Sequence, residues 1–178
     1  MSRGIGIGGH HSHNMMKDEW LTPRCIIDAL GPFDLDPCAP INRPWDIAAH
    51  HFTIEDDGLV QPWTKFDLIY LNPPYGKMAK DWLVKLRAHP AGGIALIFAR
   101  TETDMFVSEV WEHADALLFL YGRIFFCHVT GERATSNSGA PSVLIAYGDE
   151  AVRRLKHCGL PGALITDWKS TTGNSETT

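Results

Sequence analysis

Apolar residues fall into short runs along the chain, and segments rich in Gly, Pro, Asn and Asp separate these runs. Apolar runs of this length, bounded by turn residues, favour buried β-strands. The pattern predicts strands over residues 33–36, 66–71, 93–99, 116–121, 124–129 and 141–147. The fourth and fifth of these runs flank Gly122 and Arg123, which predicts a strand–turn–strand unit.

Helical periodicity and helix-boundary residues separate several of these strands. Thr22 is a candidate N-cap, Pro23 suits the first helical turn, and Gly31 follows the helix end. Further helices are predicted over residues 79–88, 103–113 and 150–157. Strands that alternate with helices predict an open α/β sheet with helices on both faces, and the strand–turn–strand unit adds an antiparallel edge.

Polar residues directly follow three of the predicted strands. Asp36-Pro37 follows the first strand, Asn72-Pro73-Pro74-Tyr75 the second, and Arg100-Thr101-Glu102 the third. In open α/β sheets, ligands bind outside the carboxyl ends of the strands. We therefore expect these three segments to meet at one functional edge.

The composition is that of one globular domain. The chain has 178 residues and a formal net charge of −5. This charge argues against a protein that coats DNA by charge alone, but it allows a local basic cleft. The four cysteines have no zinc-finger spacing, and neither a signal peptide nor a membrane-spanning apolar run is present, so we expect a soluble protein of a reducing compartment. We assign residues 1–17 to a flexible arm, 18–160 to the domain and 161–178 to a tail.

Asn72-Pro73-Pro74-Tyr75 carries the clearest chemical signal. Two prolines fix the backbone and remove two N–H donors, which leaves carbonyl oxygens, an amide and an aromatic ring. The Asn72 side-chain oxygen and the Pro73 carbonyl can each accept one N–H of an exocyclic amine, while the Tyr75 ring stacks on the heterocycle. Two acceptors draw the nitrogen lone pair out of conjugation, so no strong general base is required. The alternative is an ordinary proline-rich turn after a strand.

From Asp18 to Tyr147 the chain resembles the small phage-type, Dam-like DNA N6-adenine methyltransferases. The segments that carry the resemblance are DEWLTP (18–23), FDLDPCAP (33–40), FTIEDDGL (52–59) with Trp63, NPPYG (72–76), FARTETDMF (98–106), GRIFF (122–126) and GAPSVLIAYG (139–148). NPPY also occurs in protein-glutamine and RNA methyltransferases, and the ordered combination is more specific.

The resemblance implies a role for each matching residue. The catalytic residues it implies are Asn72, Pro73, Pro74 and Tyr75. The residues it implies for cofactor binding are Trp20, Thr22 and Pro23 over the methionine part of S-adenosylmethionine, Asp36, Pro37 and Ala39 in the cofactor-strand motif, and Asp56 and Asp57 near the adenosine, with Glu55 a further candidate. The glycine-rich FxGxG loop that is usual in larger methyltransferases is missing, since Cys38 and Ala39 stand in its place.

The resemblance further implies a class I S-adenosylmethionine-dependent methyltransferase-like sheet, which would methylate the N6 amino group of adenine flipped out of double-stranded DNA. Chemistry of this kind needs no metal. A phage- or prophage-encoded enzyme of this family would work in the cytoplasm of a bacterial host.

Several residues keep a second interpretation. Asp36 can cap a turn, and Asp56-Asp57-Gly58 is an ordinary turn signal. Arg100 and Arg123 either contact DNA or lie at the surface, and His50-His51 is read as a helix end. His10, His11 and His13 are read as solvated rather than metal-binding. DNA recognition is expected from an insert such as residues 127–140, with a mobile stretch at 137–139, or from the N-terminal arm. For function, methylation of RNA or of protein glutamine and a non-catalytic DNA-binding module remain alternatives.

Overall fold

A computed structural model describes residues 20–76 and 78–169. The strands are β1 (Trp20–Leu21), β2 (Phe33–Asp36), β3 (Ala48–His51), β4 (Ile69–Leu71), β5 (Gly93–Phe98), β6 (Ala116–Leu120), β7 (Cys127–His128), β8 (Ser142–Tyr147) and β9 (Gly162–Ile165). The helices are α1 (Arg24–Leu30), α2 (Ala79–Arg87), a π-helix (Phe106–Trp111) and α3 (Asp149–His157).

Seven of the strands form one mixed sheet in the order β3-β2-β4-β5-β8-β6-β9. The first four strands are mutually parallel, and β8 runs antiparallel to both β5 and β6. Strand β9 pairs antiparallel with β6 at the edge. The carboxyl ends of β2, β4 and β5 therefore lie on the same edge of the sheet, as the sequence predicted.

Two apolar layers cover the two faces of this sheet. Helices α1 and α3 pack on one face, where Ile94 and Leu96 of β5 point. Helix α2 and the π-helix pack on the other face, against Ala95 and Ile97. Side chains alternate along a strand, so a strand buried on both faces must be apolar throughout, which explains the continuous runs in β5 and β8. The mixed α/β sheet with helices on both faces is thus confirmed.

The predicted strand–turn–strand unit around Gly122 is wrong. Strand β6 pairs with β8 and β9, and within 124–129 only Cys127–His128 forms a strand, which pairs with β1. Every residue of β8 is buried, so β8 belongs inside the sheet, between β5 and β6. The antiparallel strands at this end are therefore β8 and β9.

Three strands were not predicted, namely β1, β3 and β9. Residues His50 and His51, read as a helix end, lie in edge strand β3, where the exposed position of His50 makes a polar residue acceptable. Strand β9 extends the sheet beyond the predicted domain limit at residue 160. The described part ends at Lys169, so the end of the predicted tail, like the 1–17 arm with its histidines, lies outside the described residues.

Helix α1 begins after Pro23 rather than under a Thr22 cap. Pro23 holds the N-cap position and no side chain caps the helix, because the Thr22 hydroxyl is engaged elsewhere. The helix predicted over 103–113 is present as a shorter π-helix. None of the described helices is long and apolar enough to cross a membrane.

Candidate active site

Asn72 presents an acceptor atom that has no partner. Strand β4 ends at Leu71, which places Asn72 at the carboxyl edge of the sheet. Its Nδ2 donates to the Trp20 carbonyl oxygen at 3.2 Å, which fixes the orientation of the amide. Its Oδ1 is buried, and no described residue donates a hydrogen bond to it. A buried acceptor without a donor costs about 1–3 kcal/mol, so this oxygen is suited to a ligand N–H.

The tyrosine of the same loop lies against a second aromatic ring. Tyr75 stacks on Phe98 with ring centroids 4.2 Å apart and planes 6° apart. The Tyr75 hydroxyl is buried and has no hydrogen-bond partner in the described part of the chain. Burial raises the pKa of this hydroxyl well above its usual value, so the group stays protonated. Between Asn72 and Tyr75, Pro73 is buried and Pro74 is exposed.

Tyr75 and Phe98 line a cavity of about 320 Å³. Its remaining walls are Trp20, Phe126, His128 and the mostly polar segment 134–139. Segment 134–139 is anchored, because the Ser138 N–H donates to the Ile124 carbonyl at 2.7 Å. A flat heterocycle in this cavity would meet both aromatic rings and small polar side chains.

Asp36 is a buried carboxyl group at the end of β2, with only 3% of its surface exposed. Burial raises the pKa of Asp36 to about 7, although the Cys38 N–H bond and the charge of Arg43 act in the opposite direction. That bond joins the Cys38 N–H to Asp36 Oδ1 at 3.0 Å, so the predicted turn-capping contact is present as well. Burial of this kind disfavours a carboxylate unless a cation compensates it.

The segment after β2 is fixed by its neighbours. The Ala39 N–H donates to the Phe52 carbonyl, and the Phe52 N–H donates to the Asp36 carbonyl, each at 2.9 Å. These bonds tie Asp36, Pro37 and Ala39 to the residue that follows β3. The predicted cofactor-strand motif is therefore a rigid element at the carboxyl edge.

The Thr22-Pro23 segment is joined to the centre of the sheet. Thr22 Oγ1 and the Tyr70 hydroxyl form a buried hydrogen bond of 2.7 Å, and Tyr70 lies on β4 two residues before Asn72. Trp20 packs its ring against His128 of β7, with centroids 4.7 Å apart. These contacts bring Trp20, Thr22 and Pro23 close to the Asn72 loop.

The acidic turn lies beside Pro37, with all three of its carboxylates exposed. Asp56 Oδ2 accepts the Thr53 N–H at 2.8 Å and the Thr53 hydroxyl at 2.9 Å, and these bonds hold the pKa of Asp56 below its usual value. Asp57 has a φ of 52°, a left-handed conformation that Asp tolerates in turns. The turn interpretation therefore describes the local structure, and Glu55, Asp56 and Asp57 remain exposed to a ligand.

A close approach and a lysine hold this turn in place. A Cβ atom at Gly58 would lie 2.2 Å from the Pro37 carbonyl oxygen, so only glycine fits there. The Lys85 ammonium donates to the carbonyls of Gly58, Leu59 and Gln61, at 3.2, 2.5 and 2.6 Å. The turn is thus held close to Pro37 and fixed by Lys85.

The aromatic partners of Tyr75 were not predicted as site residues. Phe98 and Phe126 lie in segments that carry the family resemblance, FARTETDMF and GRIFF, and this was the available signal. Arg100 and Arg123 are both exposed. Among the described residues, no group of three or more His, Cys, Asp or Glu side chains is arranged to hold a metal ion.

Comparison with known proteins identifies one family. The family model for DNA N-6-adenine-methyltransferase (Dam) matches residues 9–155. Searches of curated proteins and of solved structures find no match. The matched region spans β1 to β8 and most of α3, and it includes every residue assigned above to the candidate site. The chain therefore belongs to the DNA N-6-adenine-methyltransferase (Dam) family.

Proposed function

We propose that this protein transfers a methyl group from S-adenosylmethionine to the N6 atom of an adenine flipped out of duplex DNA. Membership of the family implies DNA adenine N6 methylation. The cofactor, the extrusion of the base and the roles of single residues are the parts that we propose.

The partnerless oxygen of Asn72 carries the proposal. Because Trp20 takes the Nδ2 donor, Oδ1 is left as a fixed acceptor. Trp20, which holds the amide, and Tyr75 of the same loop both line the cavity. An exocyclic amine supplies the N–H that this oxygen lacks, and the Pro73 carbonyl would accept the second N–H. Both bonds strengthen as the amine becomes positively charged during attack on a methyl carbon, so they favour the transition state over the ground state.

Asp36 fits a ligand with a positively charged amino group. Its carboxyl is buried, so a bound cation would return it to the charged form. Together with Trp20, Thr22, Pro23, Pro37 and Ala39 it would hold the amino-acid part of S-adenosylmethionine, and the exposed Asp56 and Asp57 would lie near the ribose. When bound, this cofactor supplies an electrophilic methyl group on a sulfonium sulfur. The protein's own contribution is to align the amine with that methyl group, which is worth several kcal/mol in comparable reactions.

The sheet supports a class I methyltransferase-like fold. It is open, has helices on both faces, and gathers Asp36, Asn72 and Phe98 at the carboxyl ends of adjacent parallel strands. Ligand sites in sheets of this kind lie at that edge.

Three exposed arginines support duplex DNA as the substrate. Arg100, Arg123 and Arg133 are exposed on segments that follow the sheet edge or border the cavity wall, despite the overall charge of −5. The Arg133 guanidinium lies 3.8 Å from the centroid of the Phe125 ring, which limits its freedom before binding. Arginines placed in this way can neutralise phosphates and so position the duplex.

Methyl transfer measured in parallel on duplex DNA, RNA and protein tests the proposal. We expect label from S-adenosylmethionine in DNA, recovered as N6-methyladenine. Asn72→Ala should lower transfer by roughly 10²–10³ or more. Asn42→Ala, which changes an exposed asparagine in a loop, should leave transfer unchanged. Label in RNA or protein but not in DNA would reject the proposal, as would full activity of Asn72→Ala. Genomic DNA without N6-methyladenine is used as the substrate, because it offers every possible recognition sequence. Sequencing that detects modified bases then identifies the recognition sequence.

A further inference from the structure

Phe98 covers one face of the Tyr75 ring. The two rings are nearly parallel, with planes 6° apart and centroids separated by 4.2 Å. At this distance nothing else fits between them. A base that stacks on Tyr75 must therefore use the opposite face of the ring.

The two rings come from different kinds of structure. Phe98 is the last residue of β5, paired in register with Ser142 of β8, and the following Ala99 N–H donates to the Pro141 carbonyl at 2.8 Å. Tyr75 lies in the loop after β4. Because β4 and β5 are parallel neighbours with Leu71 opposite Ala95, the chain positions of Tyr75 and Phe98 meet just beyond the strand ends. The backbone under Phe98 is fixed by the sheet, whereas the Tyr75 ring depends on its contacts.

No polar contact in the described part of the chain fixes the Tyr75 ring. Its buried hydroxyl has no hydrogen-bond partner, so packing alone sets the plane of the ring. Phe98 supplies the stacked contact in that packing. Both side chains are half-buried and line the same cavity, so the stack reaches the place where a ligand enters.

We infer that Phe98 is a positioning residue that holds the Tyr75 ring in the plane on which the extruded adenine stacks, in a three-layer arrangement of Phe98, Tyr75 and base. The inference rests on the proposed function. If Phe98 positions Tyr75, a substitution at Phe98 lowers activity only while the Tyr75 ring is present. If Phe98 only stabilises the fold, the substitution lowers activity whether or not that ring is present.

A mutant cycle tests this dependence. Phe98→Leu keeps the apolar volume and removes the ring. We expect it to lower kcat by roughly 2- to 12-fold, the range that aromatic pairing supplies beyond burial. The KM for DNA should change little, because phosphate contacts dominate DNA affinity. Phe98→Tyr should restore most of kcat. In a Tyr75→Ala background, Phe98→Leu should cause no further loss.

Phe119→Leu is the matched control. Phe119 is also half-buried, near the end of a strand, and packs on another aromatic ring, that of Trp111, so this change should leave kcat unchanged. Thermal unfolding and S-adenosylmethionine affinity are measured for every variant, and Phe98→Met is used if Phe98→Leu does not fold. With 2-aminopurine at the target position, the bound complex of Phe98→Leu should fluoresce more than that of the unaltered protein, because the extruded base is less firmly stacked.

The outcomes separate the inference from the proposed function. If the unaltered protein fails to methylate DNA, the proposed function falls and this inference with it. If it methylates DNA and Phe98→Leu is fully active, or more active because the ring occupied the place of the base, only the inference is overturned. A loss that is equally large in the Tyr75→Ala background also overturns it.

Discussion

The buried carboxyl group of Asp36 makes the stability of the ligand-free protein depend on pH in a predictable way. Its pKa is raised from 3.8 to about 7, mainly by burial. The folded protein therefore keeps a proton that the unfolded chain loses between about pH 4 and pH 7. Over that interval the free energy of unfolding falls as the pH rises, and above about pH 7 this contribution no longer changes.

The size of the effect follows from the pKa difference. Each pKa unit corresponds to about 1.4 kcal/mol, so ionisation of Asp36 destabilises the folded state by about 4 kcal/mol at pH 8. Asp36→Asn keeps an oxygen that can accept the Cys38 N–H bond and carries no charge at any pH. We therefore expect the variant to match the unaltered protein near pH 4 and to be more stable by up to about 4 kcal/mol at pH 8.

Urea unfolding between pH 4.5 and pH 8.5, without cofactor, measures this difference. Subtracting the two curves cancels groups common to both proteins, including the histidines. Asp34→Asn is the control, since Asp34 lies two residues earlier on β2 and accepts the Leu68 N–H at 2.9 Å. For Asp36→Asn, the difference in the free energy of unfolding should grow as the pH rises. Parallel stability curves for Asp36→Asn and the unaltered protein would refute the reasoning.

Three further predictions concern the proposed reaction. Asn72→Ala should lower kcat by roughly 10²–10³ or more, because an acceptor for developing charge is lost, whereas calorimetry should give a cofactor affinity within a few fold of normal. Near-normal turnover would show that Asn72 does not bind the reacting amine. Asp36→Ala should weaken S-adenosylmethionine binding. In the unaltered protein, the affinity for S-adenosylmethionine should rise as the pH increases through about 7, because the Asp36 carboxyl ionises there. If Asp36 only caps its turn, calorimetry would show an affinity that is the same in the variant and independent of pH. Tyr75→Phe should keep most of the methylation activity, whereas Tyr75→Ala should lose roughly one to two orders of magnitude of it and recover part of this loss when the target adenine is mismatched. An equal loss of activity in both variants would show that the reaction depends on the hydroxyl rather than on stacking.

The sequence was informative where local chemistry decides the structure. Asn72 follows an apolar run and Asp36 ends a short strand, and the parallel order of the strands brings their segments together as predicted. Strand pairing was less predictable, because runs such as 124–129 and 142–147 look alike, and only burial on both faces distinguishes the interior strand β8. Edge strand β3 carries His50 and His51 and lacks the apolar signal of a strand.

Contacts between segments that are distant in the chain could not be predicted from the sequence. The stack of Phe98 on Tyr75 depends on the register of β4 and β5, and the Asn72 bond to Trp20 depends on where the chain places β1. The Thr22 hydroxyl illustrates the same limit. Local sequence rules favoured a helix cap, but the hydroxyl instead bonds the buried Tyr70 hydroxyl, 48 residues away. Tertiary partners of this kind override local preference when the alternative is a buried polar group without a bond.

The insertion of β8 between β5 and β6 has a consequence for how the chain folds during synthesis. The parallel group β3, β2, β4 and β5 can assemble as soon as residue 98 has left the ribosome, but β5 then presents an unpaired, wholly apolar edge. That edge is covered only when β8 emerges, after β6 and the whole cavity wall have been made. Nascent chains paused between these two points are therefore the species most exposed to aggregation and to chaperone binding.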